Sequence, residues 1–211
     1  ADAPATLFSF GCRMAFNNSS MYDPSWSLKP AVIAAGYAAL FGLGHPAAML
    51  LFVLMMLYNQ RLTTNFLRDW PRLKHEDWRY RDFRRRFPKA YWLISLGGIH
   101  LFPTIMVYLA CLPLYFAMKE PFGMNWVGWL GIAVTVAAIV IAFIADEQMR
   151  NFRKNPSNKG RNMNKGLWEH SRHPNYFGEI LTWWGIYLVA LNAGLNFWWT
   201  GIGALAITLM F

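Results

Sequence analysis

Long apolar stretches, interrupted by short polar segments, dominate the pattern along the chain. Four of them hold no Asp, Glu, Lys or Arg: residues 30–60, 90–118, 121–145 and 180–211. About 20 apolar residues are enough for a helix to cross the hydrocarbon core of a bilayer. Runs of this length are too long for the core helices of a soluble protein. The pattern therefore predicts an integral membrane protein with several spans.

Two of these runs exceed the length of one span and contain helix-breaking residues. Residues 30–60 would form a helix of about 46 Å, and the GLGHP segment at 42–46 is expected to break it, since Gly and Pro punctuate helices. We place spans at about 22–41 and 47–66. Residues 180–211 are expected to break in the same way at 192–196. With an earlier apolar segment at 5–16, the prediction is an all-α integral membrane fold of about seven transmembrane helices, forming a single domain over 1–211.

The net charge of +9 is concentrated in two segments. Residues 61–89 carry ten of the twenty Lys and Arg residues, and residues 150–172 carry seven more. Positively charged loops stay on the cytoplasmic side of a membrane. Both segments are therefore predicted to be cytoplasmic. Topology alone explains the sign of this charge without any ligand, so the pattern of individual polar residues has to be considered next.

Polar residues recur at helical spacing where the spans meet the two basic loops. Spacings of i, i+4 and i+7 in one segment and i, i+3, i+4 and i+7 in another place each set on one helix face: Asp146, Arg150 and Arg153, and Arg172, Asn175, Tyr176 and Glu179. The second helix is expected to begin near Pro174, because proline suits a first helical turn. Tyr58 and Arg61 end another span, and Asp23 begins the second. All of these groups are predicted to lie on the same side of the membrane.

Glu179 is the residue that topology explains least. The 32 residues that follow it carry no charge, which places it at or below the membrane interface. A carboxylate there needs a partner or a function, because burying its charge is costly. Arg61, Arg150 and Arg153 have the simpler interpretation of interfacial anchors. Tyr58 has that of an aromatic-belt residue.

The sequence shows no spacing typical of a metal site or a nucleotide-binding loop. His170 and His173 lack partners at zinc-ligand spacing, and Cys12 and Cys111 form no disulfide or metal pattern. Neither a G-x-G-x-x-G fingerprint nor a P-loop is present. We expect no metal and no nucleic-acid partner, and a bound nucleotide would have to be held by other means.

Several segments together resemble the steroid 5α-reductase family, in particular its bacterial membrane homologues with the 3-oxo-5α-steroid 4-dehydrogenase C-terminal-like domain. They are SRHPNYFGEILTWWG at 171–185, NNSSMYDPSWSLKP at 17–30, Tyr58-x-x-Arg61, and DEQMRNFRKNP at 146–156. The resemblance covers about residues 17–190. The RHPxY element by itself is also similar to isoprenylcysteine carboxyl methyltransferases.

This resemblance implies a seven-helix oxidoreductase of the bacterial inner membrane, with an NADPH site that faces the cytoplasm. Such enzymes reduce a C=C bond conjugated to a ketone, as in 3-oxo-Δ4 steroids. Tyr58 would donate a hydrogen bond to the substrate ketone, and Glu179 would lie beside the nicotinamide. The glutamate that supports this tyrosine in the family is missing, and Asp23 is the residue we expect to replace it, with Tyr22 as the other candidate. The full set of expected cofactor ligands is Arg61, Asp146, Arg150, Arg153, Arg161, Arg172, His173, Asn175, Tyr176 and Glu179.

The charge pattern is compatible with this implied cofactor, since Arg recognises phosphate through two parallel hydrogen bonds. The expected partners are a lipid-soluble enone, which would enter sideways between helices, and membrane lipid. Two other functions stay open. One is an S-adenosylmethionine-dependent membrane methyltransferase, whose cofactor has no phosphate and leaves the basic segment at 146–161 unexplained. The other is a non-catalytic sterol- or lipid-binding membrane protein.

Overall fold

The structure is a computed structural model that describes residues 2–70 and 76–211, without the side chains of residues 2–5, 7, 8, 21 and 69. Within these ranges the chain is helical and contains no strand. Short 3-10 turns at Ser19–Tyr22, Pro156–Asn158 and Leu195–Thr200 connect the longer elements. The helices are α1 Asp2–Phe16, α2 Asp23–Phe41, α3 Pro46–Asp69, α4 Trp78–Arg86, α5 Tyr91–Lys119, α6 Trp126–Lys154, α7 Leu167–His170, α8 Pro174–Ala193 and α9 Gly201–Met210.

The two predicted helix breaks are confirmed. α2 ends where Gly42 adopts a φ of +78°, in the left-handed region that favours glycine. α3 begins at Pro46 after His45, whose Nδ1 accepts a hydrogen bond from the Ala48 amide at 3.4 Å. The second break ends α8 before Gly194, and a 3-10 turn then leads into α9.

α5 is long and irregular. Its segment Ser95–Leu101 has π-helical geometry, directly before Pro103. Proline has no N–H and crowds the preceding turn, so it interrupts the regular hydrogen-bond ladder of a helix. Helical segments of this kind are frequent at functional sites. This one brings Gly98 and Ile99 to the wall of the first cavity described below.

α6 and α8 pack together along small residues. A Cβ atom added to Gly131 would lie 2.6 Å from the backbone oxygen of Gly185, and one added to Gly178 would lie 2.7 Å from the backbone oxygen of Ala138. Larger side chains would hold the two backbones further apart. The contact therefore fixes the relative positions of the two helices, and with them the ends of α6 and α8 that form the site.

The apolar core lies between α2, α3, α5 and α8. Its largest fully buried side chains include Leu51 and Met55 of α3, Leu114 of α5, and Trp183 and Ile186 of α8. Burying such side chains is the main favourable contribution to packing. One helical turn beyond Met55, the same face of α3 changes from apolar to polar, which positions the first residues of the candidate site.

Within the part of the chain that the structure describes, two helices, Tyr91–Lys119 and Trp126–Lys154, are long and apolar enough to cross a membrane. The outer face of the second helix is apolar and open, with Val136, Val140 and Phe143 each 44–51% exposed. Soluble monomers rarely expose large apolar patches, so this face supports a membrane location. The count of about seven spans and the cytoplasmic position of the basic loops stay predictions.

Candidate active site

Polar side chains from three helices meet at the ends of α3, α6 and α8. Tyr58, Arg61 and Asn65 lie at i, i+3 and i+7 on α3 and therefore share one face. Asp146 of α6 and Glu179 of α8 lie opposite that face and accept hydrogen bonds from it. The residues are brought together by tertiary packing, since 121 positions separate Tyr58 from Glu179.

The carboxylate of Glu179 is held by two donors. The Tyr58 hydroxyl donates to Oε2 at 2.6 Å, and the Arg61 guanidinium donates to Oε1. Arg61 also donates to Oδ2 of Asp146 at 2.7 Å, so one guanidinium bridges two carboxylates. Tyr58, Arg61 and Glu179 are all buried. Charges in such a position are tolerated because each is paired and hydrogen-bonded.

A polar network leads from this buried cluster toward the protein surface. Asn65 donates to Asp146 and accepts a hydrogen bond from Arg150 at 2.6 Å. Arg150 also donates to Glu147 at 2.7 Å, and Arg68 donates to the same carboxylate at 2.8 Å. The ion pairs become more exposed along this path, so their electrostatic interactions are increasingly screened by solvent.

A first cavity of about 1050 Å³ opens beside the cluster, and we call it the aromatic cavity. Its polar lining includes Arg61, Asp146 and Glu179 at one region, and Asp23 and Tyr80 at another. Its aromatic lining includes Trp26, Phe66, Trp70, Trp78, Phe83 and Phe211. Flat apolar walls with a few placed polar groups are typical of sites for small lipid-like ligands.

A second cavity of about 910 Å³ adjoins the first, and we call it the basic cavity. Four cationic side chains line it, together with two carboxylates and a histidine: Arg68, Arg150, Arg153, Lys154, Asp146, Glu147 and His173. It shares Asn65, Asp146, Asn175 and Tyr176 with the aromatic cavity. The imidazole of His173 stacks on the ring of Tyr176 with centroids 5.0 Å apart.

Most of the predicted site residues lie around these cavities. Arg61, Asp146, Asn175, Tyr176 and Glu179 line the aromatic cavity, and Arg150, Arg153 and His173 line the basic one. Tyr58 lies behind Arg61 and Glu179, with 1% of its surface exposed. Arg161 and Arg172 are exposed and belong to neither cavity as lined by the described residues.

Arg172 also lies outside the predicted helical stripe. α8 begins at Pro174, and His173 before it has a non-helical backbone with φ −143° and ψ 64°. Steric conflict with the proline ring disfavours helical geometry at the preceding residue. The stripe therefore consists of Asn175, Tyr176 and Glu179, and the prediction that included Arg172 is wrong.

The predicted pairing of Asp23 with Tyr58 is also wrong. Oδ1 of Asp23 accepts a hydrogen bond from the Tyr80 hydroxyl at 2.7 Å, while the Tyr58 hydroxyl donates its hydrogen bond to Glu179. The pKa of Tyr80 is raised above its ordinary value, first by burial and then by the negative charge of Asp23. The phenol therefore stays protonated and donates a hydrogen bond to the Asp23 carboxylate.

Several residues of the site escaped the sequence analysis, among them Asn65, Arg68, Tyr80 and Glu147. Asn65 lies one helical turn beyond Arg61, and this spacing on the same face could have indicated it. Tyr80 belongs to the basic segment 61–89, where its i+3 neighbour Phe83 also lines the aromatic cavity. Within the described residues, no group of three or more His, Cys, Asp and Glu side chains is arranged to hold a metal ion.

Comparison with known proteins shows which family the chain belongs to. The model of a family described as "Protein of unknown function (DUF1295)" matches residues 9–211. The chain belongs to the DUF1295 family. An uncharacterised protein of Schizosaccharomyces pombe is similar to this DUF1295 protein, with 30% identity over 219 residues.

The aligned region covers 88% of this chain and 63% of the yeast protein, so the chain spans less than two thirds of that relative. No solved structure matches the chain. Neither the family description nor the yeast protein's name states an activity, so the functional argument rests on the geometry of the site.

Proposed function

We propose that this protein is a membrane reductase that uses NADPH to transfer hydride to the C=C bond of an enone lipid similar to a 3-oxo-Δ4 steroid. The observation that carries the proposal is the pair of adjoining cavities, one aromatic and one basic, with Asp146 and Asn175 in their shared wall. Aromatic walls suit a flat apolar lipid, and clustered cations suit phosphate groups. A shared wall is where the reacting parts of two ligands would meet.

The charge of the basic cavity fits the phosphates of NADPH. Arg68, Arg150, Arg153 and Lys154 surround it. Arginine binds phosphate bidentately, and a cluster of cations discriminates a cofactor with an additional 2′-phosphate from one without it. Glu147 offsets part of this charge through its ion pairs with Arg68 and Arg150. The guanidinium groups are thereby held in position before a ligand arrives.

The shared wall offers a place for a polar ring substituent. The side-chain oxygen of Asn175 is buried and, among the described residues, has no hydrogen-bond partner. Buried polar atoms are almost always paired, so a ligand donor at this point would satisfy it. Glu179 retains acceptor capacity beyond its bonds to Tyr58 and Arg61. Both residues could accept from the carboxamide NH₂ of a nicotinamide.

NADPH, when bound, supplies the hydride, and the protein supplies binding, orientation and charge. Hydride addition to the β-carbon of an enone places negative charge on the ketone oxygen, and a hydroxyl donor aimed at that oxygen stabilises it. A proton from water then adds to the α-carbon and completes the reduction. Tyr58 is the proposed donor. Its hydroxyl donates to Glu179 in the structure, so donation to a ketone requires the ketone oxygen to take the place of Glu179 as acceptor. Arg61 remains paired with Glu179 and keeps its carboxylate oriented during that exchange.

The proposal is tested first by binding. Purified protein in detergent is heated with NADPH, NADH or S-adenosylmethionine, and the unfolding temperature is recorded. A cofactor that binds only the folded state raises this temperature by mass action. We expect NADPH to stabilise the protein more than NADH does. Stabilisation by S-adenosylmethionine and not by NADPH would contradict the reductase and favour a methyltransferase.

The second test is turnover. Protein in lipid nanodiscs is supplied with NADPH and a 3-oxo-Δ4 steroid, and mass spectrometry follows the gain of two hydrogen atoms by the steroid. We expect reduction of the C=C bond and consumption of one NADPH per steroid. Binding of the steroid without any reduction would favour the non-catalytic lipid-binding function.

A further inference from the structure

The aromatic cavity has a second polar region that the proposed reaction does not use. Asp23, the first residue of α2, and Tyr80 of α4 both line the cavity, and we call this pair the Asp23–Tyr80 site. The phenol donates to Oδ1 of Asp23 at 2.7 Å. The pair is formed by helices different from those that hold Arg61 and Glu179. A ligand in the cavity is therefore offered two separate polar regions.

The Asp23–Tyr80 pair can still accept hydrogen bonds but cannot donate one. The hydroxyl proton of Tyr80 is already used in the hydrogen bond to Asp23. The hydroxyl of Ser20 accepts from the Asp77 amide at 2.9 Å and also hydrogen-bonds Asp23. A carboxylate has room for about four hydrogen bonds, and a phenol oxygen can still accept after its proton is donated. The pair can therefore accept further hydrogen bonds, and it has no proton of its own left to donate. Arg79 also lines the cavity next to this pair, and its Nε and Nη2 donate to the Asp77 carboxylate.

This capacity selects between oxygen functions on a ligand. A hydroxyl group donates, so it can bond to the Asp23 carboxylate or to the oxygen of Tyr80. A ketone oxygen only accepts, so it would lie against acceptors and lose its hydrogen bonds with water. The region around Arg61 differs, because the Nε of Arg61 is a donor without a hydrogen-bond partner among the described residues, beside the acceptors Asp146 and Glu179. A ligand that spans the cavity is thus matched when an acceptor lies near Arg61 and a donor near Asp23.

The remainder of the cavity is suited to the body of such a ligand. Trp26 of α2, Phe66 of α3 and Ile99 of α5 also line it, and the volume of about 1050 Å³ is ample for a fused-ring lipid. Aromatic side chains contribute large apolar contact areas at low conformational cost. The binding energy would come from this apolar contact, and the polar regions would set orientation.

We infer that the Asp23–Tyr80 site binds a hydroxyl group of the lipid substrate, and that the substrate class is a hydroxylated fused-ring enone. The hydroxyl end lies at α2 and α4, and the enone end lies at α3 and α8. The assignment of the enone end rests on the proposed function. The assignment of the hydroxyl end rests on the hydrogen-bonding capacity of Asp23 and Tyr80 and needs no reaction.

Two probes that differ in one group test the inference. 17β-Hydroxyandrost-4-en-3-one and androst-4-ene-3,17-dione share a 4-en-3-one ring, and carry at the far end a hydroxyl and a ketone respectively. Binding is measured without cofactor, from quenching of tryptophan fluorescence in detergent, because Trp26, Trp70 and Trp78 line the cavity. We expect the wild-type protein to bind the hydroxyl probe about ten-fold more tightly, a ratio equal to about 1.4 kcal/mol.

Asp23→Asn is the decisive variant. An amide replaces one carboxylate oxygen with a donor, so the preference for the hydroxyl probe should fall to about unity or reverse. Tyr80→Phe adds no donor and removes one acceptor, so it should reduce the preference without reversing it. Asp82→Asn is the matched control, since Asp82 lies on the same helix as Tyr80, pairs with Arg86 and is not among the described residues that line the cavity. It should keep the wild-type preference.

The inference fails if the wild-type protein binds both probes equally, or if Asp23→Asn keeps the wild-type preference. If a folded Tyr80→Phe protein loses affinity for both probes to the same extent, the pair holds α2 and α4 together and does not bind the hydroxyl group. The reductase is judged separately: a hydroxyl preference without NADPH-dependent reduction retains the site and rejects the reaction. Reduction of both probes, bound with equal affinity, retains the reaction and rejects the hydroxyl site.

Discussion

Arg61 has the most consequential position of any single side chain in the site. It pairs with Glu179 and with Asp146, and its removal would leave two carboxylates without their cation. Breaking a buried ion pair by removing one partner typically costs about 3–5 kcal/mol. We predict that Arg61→Ala lowers the free energy of unfolding by about this amount, measured by denaturant unfolding in detergent.

Arg68→Ala provides the comparison, since the Arg68 side chain is 51% exposed in its pair with Glu147. Exposed pairs contribute roughly 0–1 kcal/mol. A loss at Arg61 no larger than that at Arg68 would show that the buried cluster does not depend on its guanidinium.

The Tyr58 hydroxyl allows a test of the proposed chemistry. Tyr58→Phe keeps the ring and removes one donor, so we predict that turnover of the enone falls by roughly 10²–10³-fold while NADPH affinity stays near that of the wild type. Tyr108→Phe, on an exposed position of α5, is the control and should be silent. Unchanged turnover in Tyr58→Phe would remove it from the mechanism. A parallel loss of NADPH affinity would instead assign Tyr58 the role of holding Glu179.

The two arginines on either side of the segment 154–160 differ in position, although the same role was expected for both. Arg153 lines the basic cavity, and Arg161 is exposed outside it. We predict that Arg153→Ala weakens NADPH binding by about 1.5–3 kcal/mol and weakens NADH binding less. Arg161→Ala should leave both affinities unchanged. Equal losses for both cofactors in Arg153→Ala, measured by calorimetry, would mean that Arg153 does not contact the 2′-phosphate.

At the level of helices, the contact between α6 and α8 is sensitive to a single methyl group. A Cβ atom on Gly185 would lie 2.8 Å from the backbone oxygen of Gly131. Overpacking of this kind costs about 1–3 kcal/mol. We predict that Gly185→Ala lowers the unfolding temperature in detergent.

Gly36→Ala is the matched control, because a Cβ atom there meets nothing within 4 Å. It should leave stability unchanged or raise it by about 0.5–1 kcal/mol, since alanine suits a helix better than glycine. Equal effects of the two substitutions would mean that α6 and α8 are not in close contact.

Local signals in the sequence predicted where helices begin and end, and they did so for physical reasons. Gly42 and Pro46 act on the backbone of their own segment, so the break between α2 and α3 can be read without tertiary information. The partner of Asp23 could not be read in this way. It comes from Tyr80, in a basic segment whose charge indicated only topology, and 57 positions separate the two.

For the whole molecule, the distribution of charge makes a prediction about orientation. Arg85 is exposed on α4, within the basic segment 61–89, and Gly123 is exposed in the turn between α5 and α6. Because α5 is long enough to cross a membrane, we predict that cysteines at 85 and 123 are labelled from opposite sides. The measurement uses a membrane-impermeant maleimide, intact cells, and a protein without Cys12 and Cys111. Labelling of both from one side would contradict the topology.

Lys74, another position in the same basic segment, lies outside the described residues.

The two cavities are the part of the site that the sequence could not predict. Helical spacing correctly placed Asp146 and Arg153 on one face of α6, but the face of a helix does not reveal which neighbour covers it. The volumes between helices depend on how α3, α6 and α8 cross, and no local pattern encodes that.

The close contact of α6 with α8 also fixes how α6 is rotated about its own axis. Gly131 sets this rotation, and Asp146 contacts Arg61 about 22 Å further along the helix, at a rise of 1.5 Å for each residue. One residue inserted between them would turn Asp146 by about 100° away from its partner, whereas seven would nearly restore the angle. Length variation among relatives is therefore expected to accumulate in the connecting loops, and the interval from 131 to 146 to keep its length.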